Sequence, residues 1–162
     1  MNYLAIIAAT LSIARGQDLL PSLEATDAAL NCLESMVVPH KKPSHADYAK
    51  LVKPFNSRLQ YKPAVVVLPT TEQHIQDSVL CAAQTGLKVQ ARCGGHSYAS
   101  YSSGGQDGHM IINLQPLQTI EVDKLSGIAT VGGGVRLGNL AGGLWNQGKR
   151  VLSHVSRVYI EA

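Results

Sequence analysis

Hydrophobic positions in the first two thirds of the chain follow helical and strand periodicities in turn. Apolar residues recur at helical spacing from Leu23 to Met36, which predicts a helix that ends before Pro39. The β-branched run Pro63–Leu68 predicts a buried strand, a second helix follows to about Gln84, and Leu87–Ala91 predicts another strand. A strand, a helix and a strand in this succession favour parallel pairing of the two strands with a right-handed crossover.

The later pattern adds a strand, a hairpin and a helix. Met110–Leu114 reads as a third strand, and Ile120–Val122 and Ile128–Val131 flank a polar turn, as in a β-hairpin. Apolar residues within Leu137–Gln147, followed by a glycine, predict a final helix. The polar and basic stretch Pro39–Pro54 is expected to be a connector. Together these elements predict an α+β fold.

A loop rich in glycine and hydroxyl side chains, Ala91–Gly104, follows the second predicted strand. Gly94 and Gly95 permit positive φ and allow backbone N–H groups to converge on an anion. His96 adds an imidazole, which is a nucleophile near neutral pH. The loop therefore suits a nucleotide cofactor held by its phosphates and bonded through its ring. The alternative is a surface turn with a solvated histidine.

Composition restricts the class of protein. The 162 residues are compatible with one domain, and 45% hydrophobic with 15% charged residues argues against disorder. The net charge is +3 without a cluster of lysine and arginine, so we expect no nucleic-acid partner.

Met1–Gly16 reads as a secretory signal peptide cleaved before Gln17, which predicts a secreted protein. No later stretch reads as a membrane span, and no membrane partner is expected.

Three cysteines in a secreted chain suggest one disulfide and one remaining thiol. The histidines do not form a spaced ligand set for zinc, so no metal site is expected.

Two glycine-rich stretches fail as nucleotide motifs. Gly132–Gly138 is one residue off the Rossmann fingerprint, and Gly143–Lys149 is followed by Arg150 where a P-loop has serine or threonine. No catalytic triad can be assigned from the spacing of serine, histidine and aspartate.

Several motifs occur in the order found in a family of flavoprotein oxidases. They cover about residues 32–154 and include Lys62–Pro69, Gln84–Gly86, Arg92–Tyr98, Gly132–Gly138 and Gly148–His154. The chain resembles the FAD-binding domain of berberine-bridge-enzyme-like oxidases, and within them the gluco-oligosaccharide (carbohydrate) oxidase branch. The resemblance implies a PCMH-type fold: a small βαβ parallel sheet with flanking helices and the start of a second β subdomain. We expect residues 17–58 to form an N-terminal helix and connector and residues 59–162 the FAD-binding domain.

The resemblance also assigns roles to individual residues. His96 matches the position that bonds the flavin 8α-methyl carbon through a ring nitrogen, and Cys32 is implied to pair with Cys81. Cys93 stands where relatives often carry a small residue, so it reads as a filler, with a reactive thiol as the alternative. The other residues implied around the pyrophosphate and ribose are Arg92, Gly94, Gly95, Ser97, Tyr98, Ser102, Ser103 and Gly104.

The family reaction is oxidation of an alcohol or sugar carbon, with O₂ as acceptor and hydrogen peroxide as product. Relatives continue after Ser-His into Gly-Thr-Cys-Pro, whose cysteine makes a second flavin bond. Here Ser153-His154 is followed by Val155–Ala162. We therefore expect a truncated form, in which the second bond, the substrate domain and the catalytic base are absent. The alternative is a secreted, non-catalytic remnant that binds FAD or nothing.

Overall fold

The computed structural model describes residues 23–154 and 157–161, with side chains through residue 150, so the predicted signal peptide lies outside the described residues. The helices are α1 (Leu23–Ser35), α2 (Tyr48–Val52), α3 (Glu72–Thr85) and α4 (Leu137–Trp145). The strands are β1 (His40–Lys41), β2 (Val65–Val67), β3 (Val89–Arg92), β4 (Met110–Asn113), β5 (Ile120–Val122), β6 (Ala129–Val131), β7 (Arg150–His154) and β8 (Arg157–Glu161). No described helix is long and apolar enough to cross a bilayer.

The central sheet has the strand order β1-β2-β4-β3. β2, β4 and β3 run parallel, and β1 is antiparallel at the edge beside β2. The βαβ unit and its parallel strands are therefore as the periodicity predicts. The prediction that β2 pairs directly with β3 is wrong, because β4 lies between these two strands. β4 is buried and has a parallel neighbour on each edge. Backbone groups on both of its edges can therefore form hydrogen bonds, whereas a strand at the edge of the sheet would leave one row unpaired.

Helices cover both faces of this sheet. Val65 and Val67 point to one face, where they pack with Leu33 of α1 and Cys81 of α3. Val66, between them in sequence, points to the other face and packs against Tyr48 of α2. This is the two-residue alternation of a strand, and the side chains are buried because both faces are covered.

α1 and α3 are joined by the disulfide Cys32–Cys81, the pair that the resemblance implies. The ends of α3 follow from its sequence. Thr71 caps the N-terminus, where its hydroxyl accepts a hydrogen bond from the His74 N–H at 3.2 Å. Gly86 ends the helix in the left-handed conformation with φ of 75°, which glycine adopts without steric cost.

The stretch Pro39–Pro54, expected as a connector, contains β1 and α2. Neither element was predicted, because two and five residues are too few to show a period. α2 is held to the sheet through Tyr48, whose hydroxyl donates a hydrogen bond to the Pro63 carbonyl. Burial, helped by the negative charge of Asp107, raises the pKa of Tyr48 to about 12. The phenol therefore stays protonated and remains a donor across the physiological range.

The second part of the fold begins after β4. β5 and β6 form the predicted antiparallel hairpin, and α4 occupies the predicted helical stretch. β7 and β8 form a further antiparallel pair, which the sequence pattern did not predict. The glycines before α4 allow close backbone contact: a Cβ on Gly134 would lie 1.9 Å from the Leu114 carbonyl oxygen. This contact fixes the start of α4 against the chain that leaves β4.

Asp123 organises the turn of the β5–β6 hairpin. Its Oδ1 accepts hydrogen bonds from the N–H groups of Ser126 and Leu125, both at 2.8 Å, and these bonds lower the pKa of Asp123 below 3.8. Because the folded pKa is depressed, the stabilisation is present above the unfolded value and is lost as the pH falls through the folded value. We expect the Leu125 and Ser126 amide resonances to shift together as the pH falls below the ordinary titration range of an aspartate carboxyl.

The measurement is an NMR titration of those two amides. Asp123→Asn should abolish the acid transition at both of them, while Glu121→Gln in β5 should leave it in place. An unchanged transition in Asp123→Asn would show that another group controls the turn.

Candidate functional site

The loop after β3 leaves the sheet at the carboxyl end of its parallel strands, which is where such sheets favour ligands. Arg92 is the last residue of β3 and is half-buried. Its Nη2 donates a hydrogen bond to the Lys53 carbonyl at 2.6 Å, at the end of α2. The loop is therefore tied at its first residue to the layer that covers the sheet.

The glycine pair lies directly against its neighbours in the loop. Gly95 has φ of 71°, and a Cβ there would lie 2.8 Å from Arg92 Nε. A Cβ on Gly94 would lie 3.3 Å from the His96 ring. Any larger residue at these positions would displace either the guanidinium or the imidazole. The pair thus allows the turn, and it lies in direct contact with the Arg92 and His96 side chains.

His96 is exposed and its ring folds over Gly94. Phe55 meets it edge-on, with the ring centroids 5.5 Å apart, and meets Tyr98 in the same way at 5.4 Å. The next residue, Asn56, donates its amide to the Tyr98 carbonyl at 2.8 Å. Phe55 and Asn56 therefore hold the loop from outside, and leave the imidazole accessible.

A cationic cleft of about 240 Å³ is lined in part by Gly94 of the glycine pair. Its charged residues are Lys50 from α2, Arg92 from β3 and Arg136 from the residue before α4. Burial, and then the positive charge of Arg136, lower the pKa of Arg92. An arginine guanidinium does not deprotonate near neutrality in proteins, so Arg92 still supplies positive charge to the cleft.

The remaining predicted residues form a turn farther along the loop. The Ser97 hydroxyl accepts from the Tyr101 N–H at 3.1 Å, and a short 3₁₀ turn covers Tyr101–Ser103. Gly104 has φ of 97° and lies against the His109 side chain. The structure thus brings Arg92, Gly94, Gly95 and His96 together with Tyr98, whereas Ser102, Ser103 and Gly104 belong to this second turn. Cys93 is exposed, with its Sγ 3.9 Å from the Val135 carbonyl oxygen.

Comparison with known proteins identifies the domain to which this loop belongs. A family model described as an FAD binding domain matches residues 63–157. The chain belongs to this FAD-binding domain family. Its match contains the glycine pair, His96 and Arg136, so the residues that meet at the end of β3 lie within the domain.

Relatives of the FAD-binding domain are oxidases. The xylooligosaccharide oxidase of Thermothelomyces thermophilus is 42% identical over 134 residues, which are 82% of this chain and 27% of the relative. A crystal structure of the xylooligosaccharide oxidase of Myceliophthora thermophila with xylobiose has a TM-score of 0.75 at 42% identity, over 78% of this chain and 27% of that one. The predicted resemblance to oligosaccharide oxidases is confirmed, and the chain spans about a quarter of the length of these relatives.

A third relative is an oxidase with a covalently bound FAD. The glucooligosaccharide oxidase of Acremonium strictum, solved as a 6-S-cysteinyl, 8α-N1-histidyl FAD protein, has a TM-score of 0.74 at 35% identity, over 78% of this chain and 26% of that one. That enzyme thus carries FAD bonded to a histidine and a cysteine.

The FAD-binding domain of this chain offers groups that fit a dinucleotide. Gly94 lines the cleft, whose lysine and two arginines supply positive charge to an anion. Ser100 and Ser103 each bury a hydroxyl oxygen for which the described residues provide no hydrogen-bond partner. A buried hydroxyl without a partner costs about 1–3 kcal/mol, so a hydrogen bond from either hydroxyl to a ligand would stabilise this turn.

Sequence reasoning missed the residues that reach the loop from elsewhere. Phe55 and Lys50 carry no motif of their own. Arg136 stands within Gly132–Gly138, one of the motifs that carry the resemblance, but no role was assigned to it. Its position between a glycine triplet and a helix was the available signal. A larger cleft of about 560 Å³, lined mainly by apolar side chains of residues 43–62, contains none of the loop residues.

Proposed function

We propose that this chain is the FAD-binding part of a flavin-linked oxidase that acts on an alcohol or carbohydrate and reduces O₂ to hydrogen peroxide. His96 is the residue to which the flavin is covalently attached. The observation that supports this most directly is the exposed His96 imidazole, held over Gly94 at the carboxyl end of the parallel strands. The membership of the FAD-binding domain family and the histidyl FAD of a relative support the same assignment.

The chain's own residues would bind and orient the cofactor. The Gly94–Gly95 backbone and Arg92 would hold the diphosphate, and the Lys53 carbonyl keeps the guanidinium in place. Phe55 limits the rotation of the His96 ring, so one ring nitrogen can be presented to the reactive methyl group. When bound, FAD supplies the two-electron chemistry: it accepts a hydride from the substrate carbon and passes two electrons to O₂.

The rest of the loop would complete the site beside the ribose and phosphates of the cofactor. Its residues are Ser97, Tyr98, Ser102, Ser103 and Gly104. Cys93 acts as a filler residue beside them. The substrate is a small molecule, an alcohol or an oligosaccharide, as in the named relatives.

The protein is proposed to be secreted, with residues 1–16 as its signal peptide. The Cys32–Cys81 disulfide supports a secreted location, because such bonds form and persist in oxidising compartments. Mass spectrometry of the protein from culture medium, with Gln17 at its N-terminus, would test it.

The test of attachment is acid denaturation of the expressed chain, followed by flavin fluorescence of the protein band. We expect wild type to retain flavin and His96→Ala to lose essentially all of it, because non-covalent FAD is released on unfolding. His45→Ala is the matched control, since this imidazole bonds the Lys42 backbone in the segment before α2. It should retain flavin like wild type.

Two results would contradict the proposal. Wild type without acid-stable flavin after growth with ample FAD would favour the non-catalytic remnant. Flavin retained in His96→Ala would move the attachment elsewhere. Peroxide release with a panel of oligosaccharides and simple alcohols tests turnover separately from attachment.

A further inference from the structure

Trp145, the only tryptophan of the chain, is the last residue of α4 and is 65% exposed. A side chain of this size is usually buried over most of its surface, and tryptophan is enriched at binding interfaces. A cleft of about 230 Å³ beside the ring is lined by Trp145, Gly148, Lys149 and Arg150. Among these described lining residues none belongs to the loop after β3, so the proposed FAD site does not account for the exposed ring.

A left-handed turn after α4 places a guanidinium over this ring. Gly148 has φ of 72°, and the Lys149 N–H donates a hydrogen bond to the Leu144 carbonyl at 2.9 Å, as in the glycine turn that commonly ends a helix. The chain therefore reverses direction, and Arg150 Cζ lies 5.5 Å from the centroid of the Trp145 ring. This distance is within the usual cation–π range of about 6 Å. Because Trp145 remains largely exposed, the indole still offers open surface to a ligand.

A second cleft, of about 400 Å³, shares Lys149 with the first. Its other lining residues are Val122, Lys124, Asn146 and Gln147. Gln147 fixes this wall, because its Nε2 donates hydrogen bonds to the Ile120 and Gly143 carbonyls, both at 3.0 Å. Its Oε1 accepts a hydrogen bond from the Val122 N–H at 3.1 Å. The second cleft is therefore formed by two elements, β5 and the end of α4, that are held together.

The two clefts carry positive charge, and their described lining residues include no carboxylate. Their cationic groups, which form no ion pair with a described residue, are those of Lys124, Lys149 and Arg150. The nearby Asp123 carboxylate accepts hydrogen bonds from two backbone N–H groups of the hairpin turn. Glu121 alternates along β5 with Ile120, whose side chain lies against Gly143 of α4, so Glu121 points away from the helix. The local charge therefore favours an anion.

We propose that Trp145, Lys149 and Arg150 form a saccharide site that is selective for a sugar carrying a carboxylate, a uronic acid. The inference rests on the proposed function for the class of ligand, because the proposed substrate is an alcohol or an oligosaccharide. The C–H face of a pyranose ring packs on the indole. A guanidinium stacks on an aromatic ring and also pairs with a carboxylate through two parallel hydrogen bonds. Lys149 adds a point charge between the two clefts, so that the next sugar of an oligomer fits the second one.

Because Trp145 is the only tryptophan, its fluorescence reports directly on binding at this site. The full chain is titrated with the trimer of galacturonic acid and, as the matched neutral probe, with the trimer of galactose. We expect a saturable change with the acidic trimer and about tenfold weaker binding of the neutral one, the usual effect of a lost charged hydrogen bond. Arg150→Gln should weaken binding of the acidic trimer by a similar factor, and Arg150→Lys should recover part of the loss. Arg58→Gln removes the same charge from the exposed segment before β2 and should change neither affinity.

Calorimetry measures binding by the variants that lack the fluorophore. Trp145→Ala should lose most of the affinity for the acidic trimer, and Trp145→Phe should retain part of it, because a smaller ring still stacks. Equal binding of the two trimers overturns the site, as does a Trp145→Ala or Arg150→Gln variant that binds like Arg58→Gln. Tighter binding of a single-stranded DNA oligomer, which also combines stacking with contacts to anionic groups, overturns it as well. Circular dichroism of each variant keeps folding apart from binding.

His96→Ala separates this inference from the proposed function. It should bind the acidic trimer as wild type does, because the loop after β3 does not contribute to the described lining of either cleft. Wild type that carries acid-stable flavin but does not bind the acidic trimer overturns the saccharide site alone. A chain that binds the trimer but carries no acid-stable flavin overturns the flavin attachment alone.

Discussion

Gly134→Ala is expected to destabilise the fold severely. An ideal Cβ at this position lies 1.9 Å from the Leu114 carbonyl oxygen, and the colliding atoms belong to backbone rather than to a flexible side chain. Overpacking typically costs about 1–3 kcal/mol, and here the chain that leaves β4 must separate from the start of α4. We expect a loss of at least the upper end of that range in the free energy of unfolding, measured by urea denaturation.

Gly142→Ala provides the matched control. A Cβ on Gly142 meets nothing within 4 Å, and the residue lies inside α4. Alanine is the better helix former by about 1 kcal/mol, so this variant should be more stable than wild type. Equal stability of the two variants would mean that Gly134 and Leu114 are not in the contact described.

Removal of the Cys32–Cys81 disulfide has the second large expected effect. The two residues are 49 apart in sequence, and closing a loop of that length contributes about 4 kcal/mol by restricting the unfolded chain. Both residues are packed at the contact of α1 with α3, so replacement also opens the core there. We expect Cys32→Ala with Cys81→Ala to lower the free energy of unfolding by about 2–5 kcal/mol.

Cys93→Ala is the comparison, because its thiol is exposed and unpaired with another cysteine. Its unfolding curve should match that of wild type, in both the presence and the absence of reductant. If reductant destabilises the double variant as much as wild type, the effect of the reductant does not act through this disulfide.

Elements with a clear period could be predicted from the sequence. The strand β2, the helix α3 and the β5–β6 hairpin show periodic or turn signals long enough to read. The place of β4 between β2 and β3 could not be predicted, because an apolar strand carries no mark of its neighbours. β1 and α2 were too short to show a period.

The same limit applies to the candidate site. The glycine pair and His96 are contiguous, so the loop is visible in the sequence. Phe55, Lys50 and Arg136 reach it from positions that are remote along the chain, and only packing brings them together. A resemblance carried by local motifs does not contain that information.

The proposed function depends on His96 carrying the flavin, and peptide mapping tests this directly. Cleavage after arginine and lysine releases the peptide Cys93–Lys124, which contains three candidate nucleophiles: Cys93, His96 and His109. Tandem mass spectrometry of the acid-denatured protein should find the flavin mass on His96 alone. Flavin on Cys93 or His109, or an unmodified peptide from protein grown with ample FAD, would contradict the account.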